Sequence, residues 1–132
     1  MPAQITLPIV GTPFPNKNPK LPTRQFALEL CEPGDPVTLR PDPSNTHDEH
    51  AIEVLNSRDM MMGYIPANRA VYVGMRLRRG AVSAIFQGRS ARGGFIRIAF
   101  DGEEPVLPPD PADQTVADEF EPDPEYPDDW GA

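Results

Sequence analysis

From Leu39 to Pro66 three short β-prone runs follow one another with only turns between them. They read as a short strand, a turn, a second strand and then a third. The first run ends at Leu39-Arg40. A turn crowded with Pro, Asn and Asp follows, Pro41-Asp42-Pro43-Ser44-Asn45-Thr46-His47-Asp48-Glu49-His50, and then a second run, Ala51-Ile52-Glu53-Val54-Leu55. The third closes on Met62-Gly63-Tyr64-Ile65-Pro66. The turn sets His47 beside Asp48 where no sheet consumes the backbone amides and carbonyls. Polar residues that a rigid β scaffold holds out on a loop are where binding sites are built.

The rest of the chain extends the pattern. Residues 4–10 alternate and are rich in β-branched side chains, which predicts a strand, and Pro8 inside it predicts an edge position or a bulge. Gly11 opens a proline-rich loop over residues 12–22 that carries Lys17 and Lys20. Thr23 is placed to cap a short helix over residues 24–31, which stops before Pro33-Gly34. Strands are predicted at 36–40, 51–56 and 60–65, the last two joined by a hairpin turn over 56–59. A second helix runs from about Pro66 to Arg79 with Gly80 as its stop. Ala70, Val73 and Leu77 fall on one of its faces, and Arg69, Tyr72, Arg76 and Arg79 on another. Strands at 81–87 and 94–100 flank a basic loop, 88–93. The expected fold is mainly β with two short helices, a small, partly open six-stranded barrel of OB-like or SH3-like type.

Charge divides the chain more sharply than hydropathy does. All 12 Lys and Arg lie at or before Arg97, whereas 12 of the 20 Asp and Glu lie from Asp101 onward, so a net charge of −8 conceals a mildly basic front and a strongly acidic end. Within a length that suits one domain, residues 1–100 are expected to form the barrel and residues 101–132 an acidic, Pro-rich, flexible tail that repels itself and buries too little apolar surface to order alone. Its scattered aromatics, among them Phe120, Tyr126 and Trp130, leave it a docking role. The one cysteine, Cys31, lies in an apolar run and reads as a buried inert thiol. His47, His50 and Cys31 do not have the spacing of a zinc site, and no cofactor is expected. With no stretch long enough to span a bilayer and no signal-peptide layout, the expectation is a cytoplasmic protein without a membrane partner.

Two constellations suggest binding. In the turn, Asp48 beside an imidazole is suited to accept a hydroxyl proton while the His47 ring stacks on a base or sugar. The competing reading, favoured by the residues alone, is that Asn45 and Asp48 only hydrogen-bond the loop's own backbone. The face Arg69-Tyr72-Arg76-Arg79 combines guanidiniums with an aromatic, as a phosphate-contacting surface does. It equally suits a solvated helix face whose cations complement the dipole. Residues 89–94 resemble a phosphate-grasping turn, a weak signal. The sequence contains no Gly-rich nucleotide loop ending in Lys-Ser/Thr, no nucleophile elbow and no metalloprotease helix, so a non-enzymatic role is expected.

In order along the chain, Ile9-Val10-Gly11-Thr12 with Phe14, Gly34-Asp35-Pro36-Val37-Thr38-Leu39, the block from Asp42 to Val54, and Met62-Gly63-Tyr64-Ile65-Pro66 with Ala70 resemble the HIRAN domain, over roughly residues 5–100. That module occurs at the N-terminus of some fork-remodelling helicases and as standalone bacterial and phage proteins. The resemblance implies an OB-like barrel that binds single-stranded DNA, notably a free 3′ end, in repair or replication alongside a helicase, nuclease or other partner. It further implies two aromatics clamping the terminal bases, an aspartate at the 3′-hydroxyl and basic residues on phosphates. The first aromatic corresponds to Phe14, the second, usually tyrosine, to His47, and the aspartate to Asp48. A basic residue that often precedes the first aromatic is Pro13 here, and a lysine at the start of the second helix is Ala67, with Arg69 nearby. The expected contact set is therefore Phe14, His47, Asp48, Tyr64, Arg69, Tyr72 and Arg76. The alternative is a protein-interaction or DNA-mimic regulator acting through the acidic tail, which can also fold back over the basic face.

Overall fold

The computed structural model describes residues 4–16, 18–91 and 93–108. Most of the expected acidic tail, from residue 109 onward, lies outside the described residues. The elements, in order, are β1 (Gln4–Ile9), α1 (Arg24–Glu29), β2 (Pro36–Pro41), β3 (Ile52–Leu55), β4 (Met61–Tyr64), α2 (Ala67–Arg79), β5 (Ser83–Arg89) and β6 (Gly94–Ala99). All six strands join one sheet in the order β1-β6-β5-β2-β3-β4, with every pairing antiparallel. The fold is thus mainly β with two helices, a curled half-barrel of six strands, as the count of elements predicts. Pro8 sits on edge strand β1, opposite Phe95, where its missing N–H costs the ladder least.

The sheet curls until its two edges touch. Just beyond β1, Val10 forms an isolated bridge with Tyr64 at the end of β4. The Val10 amide donates to the Tyr64 carbonyl at 2.9 Å, and the Tyr64 amide to the Val10 carbonyl at 2.8 Å. Thr12 Oγ1 adds a buried bond to the Met62 carbonyl at 2.9 Å. Gly63 makes this approach possible. It has φ of +155°, and a β-carbon there would fall 2.5 Å from the Val10 carbonyl oxygen and 2.7 Å from Ile9 Cγ2.

The interior is filled by alternating strand residues: Leu7 and Ile9 of β1, Ile52 and Val54 of β3, Met62 of β4, Phe86 of β5, and Ile96 and Ile98 of β6. Leu28 of α1 and Val73 of α2 complete it. Each such side chain contributes about 1.5–3 kcal/mol by leaving water. Cys31 is in this core with Sγ 3.3 Å from Met62 Sδ, and burial pushes its thiol up to about 11. Thr23 caps α1 by accepting from the Phe26 amide at 3.1 Å. Asn56, buried in the β3–β4 turn, accepts from the Arg58 and Met60 amides at 2.9 Å each and donates to the Ala27 carbonyl at 3.0 Å. One side chain therefore shapes the hairpin and pins α1 to it.

Several element bounds shift by a residue or two from expectation, most consequentially that of β5. A bulge between Phe86 and Gly88 lets β5 keep pairing with β6 as far as Arg89, so Gly88 and Arg89 belong to the strand and not to the loop. After β6, Asp101 and Gly102 turn the chain with positive φ, and it stays on the body beyond Asp101. The Gln4 side chain donates to the Glu104 carbonyl at 3.0 Å and accepts from the Val106 amide at 3.0 Å.

Closure through Gly63 predicts that Gly63→Ala destabilises the protein by roughly 2–3 kcal/mol, since overpacking against backbone costs about 1–3 kcal/mol and positive φ adds strain. Urea unfolding monitored by circular dichroism measures it; a change below about 0.5 kcal/mol, the size of a neutral surface substitution, shows that the edges meet without this glycine.

Candidate nucleic-acid interface

An open groove of about 420 Å³ is formed where the loop after β1 faces the β2–β3 turn. The volume lies within the range of about 300–1,000 Å³ usual for ligand sites. The loop and the start of α1 contribute Phe14, Asn16, Leu21 and Arg24. The turn contributes Asp42, Asn45 and His47, and strands β3 and β4 contribute Glu53, Met61 and Tyr64.

The loop is organised by one carbonyl. Gly11, at φ +81°, reverses the chain, and its oxygen accepts from the Phe14 amide at 3.1 Å and from Arg24 Nη1 at 2.9 Å. Asn16 Oδ1 accepts from Arg24 Nε at 3.0 Å, and Asn16 Nδ2 donates to the Pro22 carbonyl at 2.7 Å. The turn leaves Phe14 39% exposed at the groove. The Arg24 guanidinium lies 5.3 Å from the centroid of the Tyr64 ring, within cation–π range. Burial pulls Arg24 below the usual arginine value, while Tyr64 and Glu53 act in the opposite sense. The Tyr64 phenol is pushed up, first by burial, with Arg24 acting in the opposite sense.

The β2–β3 turn is held by its own Asx side chains. Asn45 Oδ1 accepts from the His47 amide at 2.8 Å and the Asp48 amide at 3.0 Å, and Asn45 Nδ2 reaches the Tyr64 hydroxyl at 3.4 Å. Asp48 Oδ1 accepts from the His50 amide at 2.8 Å. The backbone-binding role of Asn45 and Asp48 is therefore real, and its product is an exposed His47 side chain aimed at the groove. Asp48 is half-buried in the same turn but does not line the groove, whereas Asp42 does.

The structure thus brings Phe14, His47 and Tyr64 together and leaves the α2 residues elsewhere. Arg69 is exposed on α2. Tyr72 and Arg76 line a separate hollow with Arg79 and Asp101. Tyr72 packs edge-on against Phe100, with ring centroids 5.8 Å apart. Arg76 lies 4.3 Å from the Phe100 ring centroid, donates to the Tyr72 hydroxyl at 2.6 Å and pairs with Asp101 at 2.8 Å. Both side chains are committed to holding the end of β6. At the end of β5 the Ser90 amide donates to the Gly93 carbonyl at 2.9 Å, and Arg89 Nη2 donates to the Glu29 carbonyl at 2.6 Å. Conversely, sequence reasoning used Arg24 only as a helix boundary. Its signal was position, directly after the cap and at the end of the loop that carries Gly11 and Phe14. Among the described residues no group of three His, Cys, Asp or Glu side chains is arranged to hold a metal ion, and no helix is long and apolar enough to cross a membrane.

With this geometry in place, the chain can be set beside known proteins. No curated protein matches it. Among solved structures, the crystal structure of the HIRAN domain of human HLTF superposes with a TM-score of 0.56 at 17% identity, covering 74% of each chain. A protein from Lactobacillus plantarum superposes at 0.52, also at 17% identity, over 74% of this chain and 92% of its own. At such identity these are likenesses of fold. The model of the HIRAN domain matches residues 6–92, which contain most of β1, all of β2 to β5, both helices and every residue named in the groove, and the chain therefore belongs to the HIRAN domain family.

Proposed function

We propose that the groove binds the end of a single DNA strand, with a terminal base between Phe14 and His47 and the Tyr64 ring beneath them. The observation that carries this reading is the convergence of three rings from distant segments on one open groove. HIRAN domains are DNA-binding modules, which supports it at the level of ligand class. A base offers both faces to flanking rings only when unstacked and unpaired, so the groove favours single strands and frayed ends over duplex.

Charge then argues for a free hydroxyl. Asp42 in the groove is placed to accept a hydrogen bond from a deoxyribose 3′-hydroxyl, and its carboxylate together with that of Asp48, beside the groove in the same turn, repels a terminal phosphate. A module of this kind marks a strand end for repair or replication, with the motor or nuclease supplied by a partner.

Stacking contributes about 1–3 kcal/mol per base, so Phe14→Ala and His47→Ala should each weaken binding of a short 3′-hydroxyl oligodeoxynucleotide by about tenfold in fluorescence anisotropy. Wild-type protein that binds no oligonucleotide at low salt would sink the reading. Asp48→Ala and Asp42→Ala should narrow the preference for a 3′-hydroxyl over a 3′-phosphate end while leaving internal single-strand binding little changed. A preference untouched by both substitutions removes the carboxylates from end recognition.

A further inference from the structure

Arg24 places a positive charge on the groove, and among the described residues it forms no ion pair. Its Nε and Nη1 donate to Asn16 Oδ1 and the Gly11 carbonyl. Both acceptors are neutral, so they fix where the guanidinium points without cancelling its charge. Glu53, the groove carboxylate across the sheet, is held instead by Arg40, whose Nε and Nη2 reach its Oε1 at 2.7 and 2.6 Å. Asp42 accepts from the Ser44 hydroxyl at 2.9 Å. Of the five N–H groups of a guanidinium, two are spent on the loop, which leaves one on Nη1 and both on Nη2 for a ligand.

Charges taken partly out of water are costly unless a partner supplies the opposite charge. Here the molecule holds one beside the Tyr64 ring, in a groove that Phe14 and His47 also line, on a carbonyl and an amide that prevent it from swinging into solvent. Pre-organisation of this sort lowers the entropy lost on binding. An arginine fork matches two oxygens of one phosphate better than it matches the edge of a base already sandwiched between rings.

We infer that Arg24 is the phosphate-binding residue of the groove, holding the phosphodiester that joins the terminal nucleotide to its neighbour. Asn16 and the Gly11 carbonyl are its positioning groups. The inference rests on the single-strand reading above and adds to it the residue that makes binding sensitive to salt at the strand end.

The test is an anisotropy titration of the full chain with a 3′-hydroxyl oligodeoxynucleotide over a series of salt concentrations. One lost phosphate contact on a single strand reduces the slope of log K against log salt by about 0.7. Arg24→Ala should show that reduction, whereas Phe14→Ala should lose affinity at every salt concentration with its slope intact. Asn16→Ala should weaken binding and keep most of the slope. A methylphosphonate at the last linkage should cost wild type what Arg24→Ala costs, and should cost Arg24→Ala nothing more. Thermal unfolding by circular dichroism establishes that each variant is folded. If Arg24→Ala is not, Arg24→Lys, which keeps the charge and loses the fork, should bind more weakly with the wild-type slope, and the methylphosphonate loss in wild type stands by itself. A wild-type slope in Arg24→Ala, an equal methylphosphonate penalty in both proteins, or a changed base preference with unchanged slope overturns the inference. Wild type that binds no strand at all removes the single-strand reading and the inference with it, a result distinct from binding that ignores Arg24.

Discussion

The pair of hydrogen bonds between Val10 and Tyr64 is the constraint on which the rest of the structure depends. A six-stranded antiparallel sheet with this order leaves β1 and β4 at opposite edges, and right-handed twist brings them near each other without joining them. Joining needs backbone against backbone, and Gly63 supplies the space, since any β-carbon there meets the Val10 carbonyl and Ile9. The bridge then does more than shut the sheet. It delivers the loop that begins at Gly11 onto the end of β4, where Tyr64 lies, so the closure of the fold and the assembly of the groove are one event.

From that point the site is built with few parts. The Gly11 carbonyl serves both the turn that presents Phe14 and the guanidinium of Arg24. Asn45 serves both the turn that presents His47 and the hydroxyl of Tyr64. Asn56, on the far side of β4, holds α1 and hence the helix that starts with Arg24. Each side of the groove is thus fixed by backbone-directed polar side chains.

Much of this was legible in the residues, because local rules and tertiary structure agree. Alternation gave the strands, Thr23 and Gly80 gave the helix ends, and Pro8 announced an edge. The turn residues around Asn45 and Asp48 read correctly as Asx chemistry, and Phe14 and His47 were singled out through the family resemblance before they were seen to share a groove. What could not be read was partnership. Helical period puts Tyr72 and Arg76 on one face but does not say that the face meets Phe100 and Asp101, two residues that β6 brings there from the end of the sheet. Arg24 was opaque for the same reason: its importance comes from a loop folding back, and nothing in its local sequence encodes the carbonyl it grips. The bulge at Phe86 and Gly88 likewise extended β5 through a glycine that locally signals a loop.

The proline on β1 has a consequence for the molecule's behaviour in company. An exposed strand edge is a template on which another chain can add a strand, the usual first step of sheet-to-sheet aggregation. Here Pro8 breaks the row of donors midway along β1, and the bridge at Val10 occupies the residue that would extend it, while the same bridge engages β4 at Tyr64. A neighbouring copy therefore finds both margins interrupted, and the protein gains resistance to self-association from the same few residues that shape its binding face.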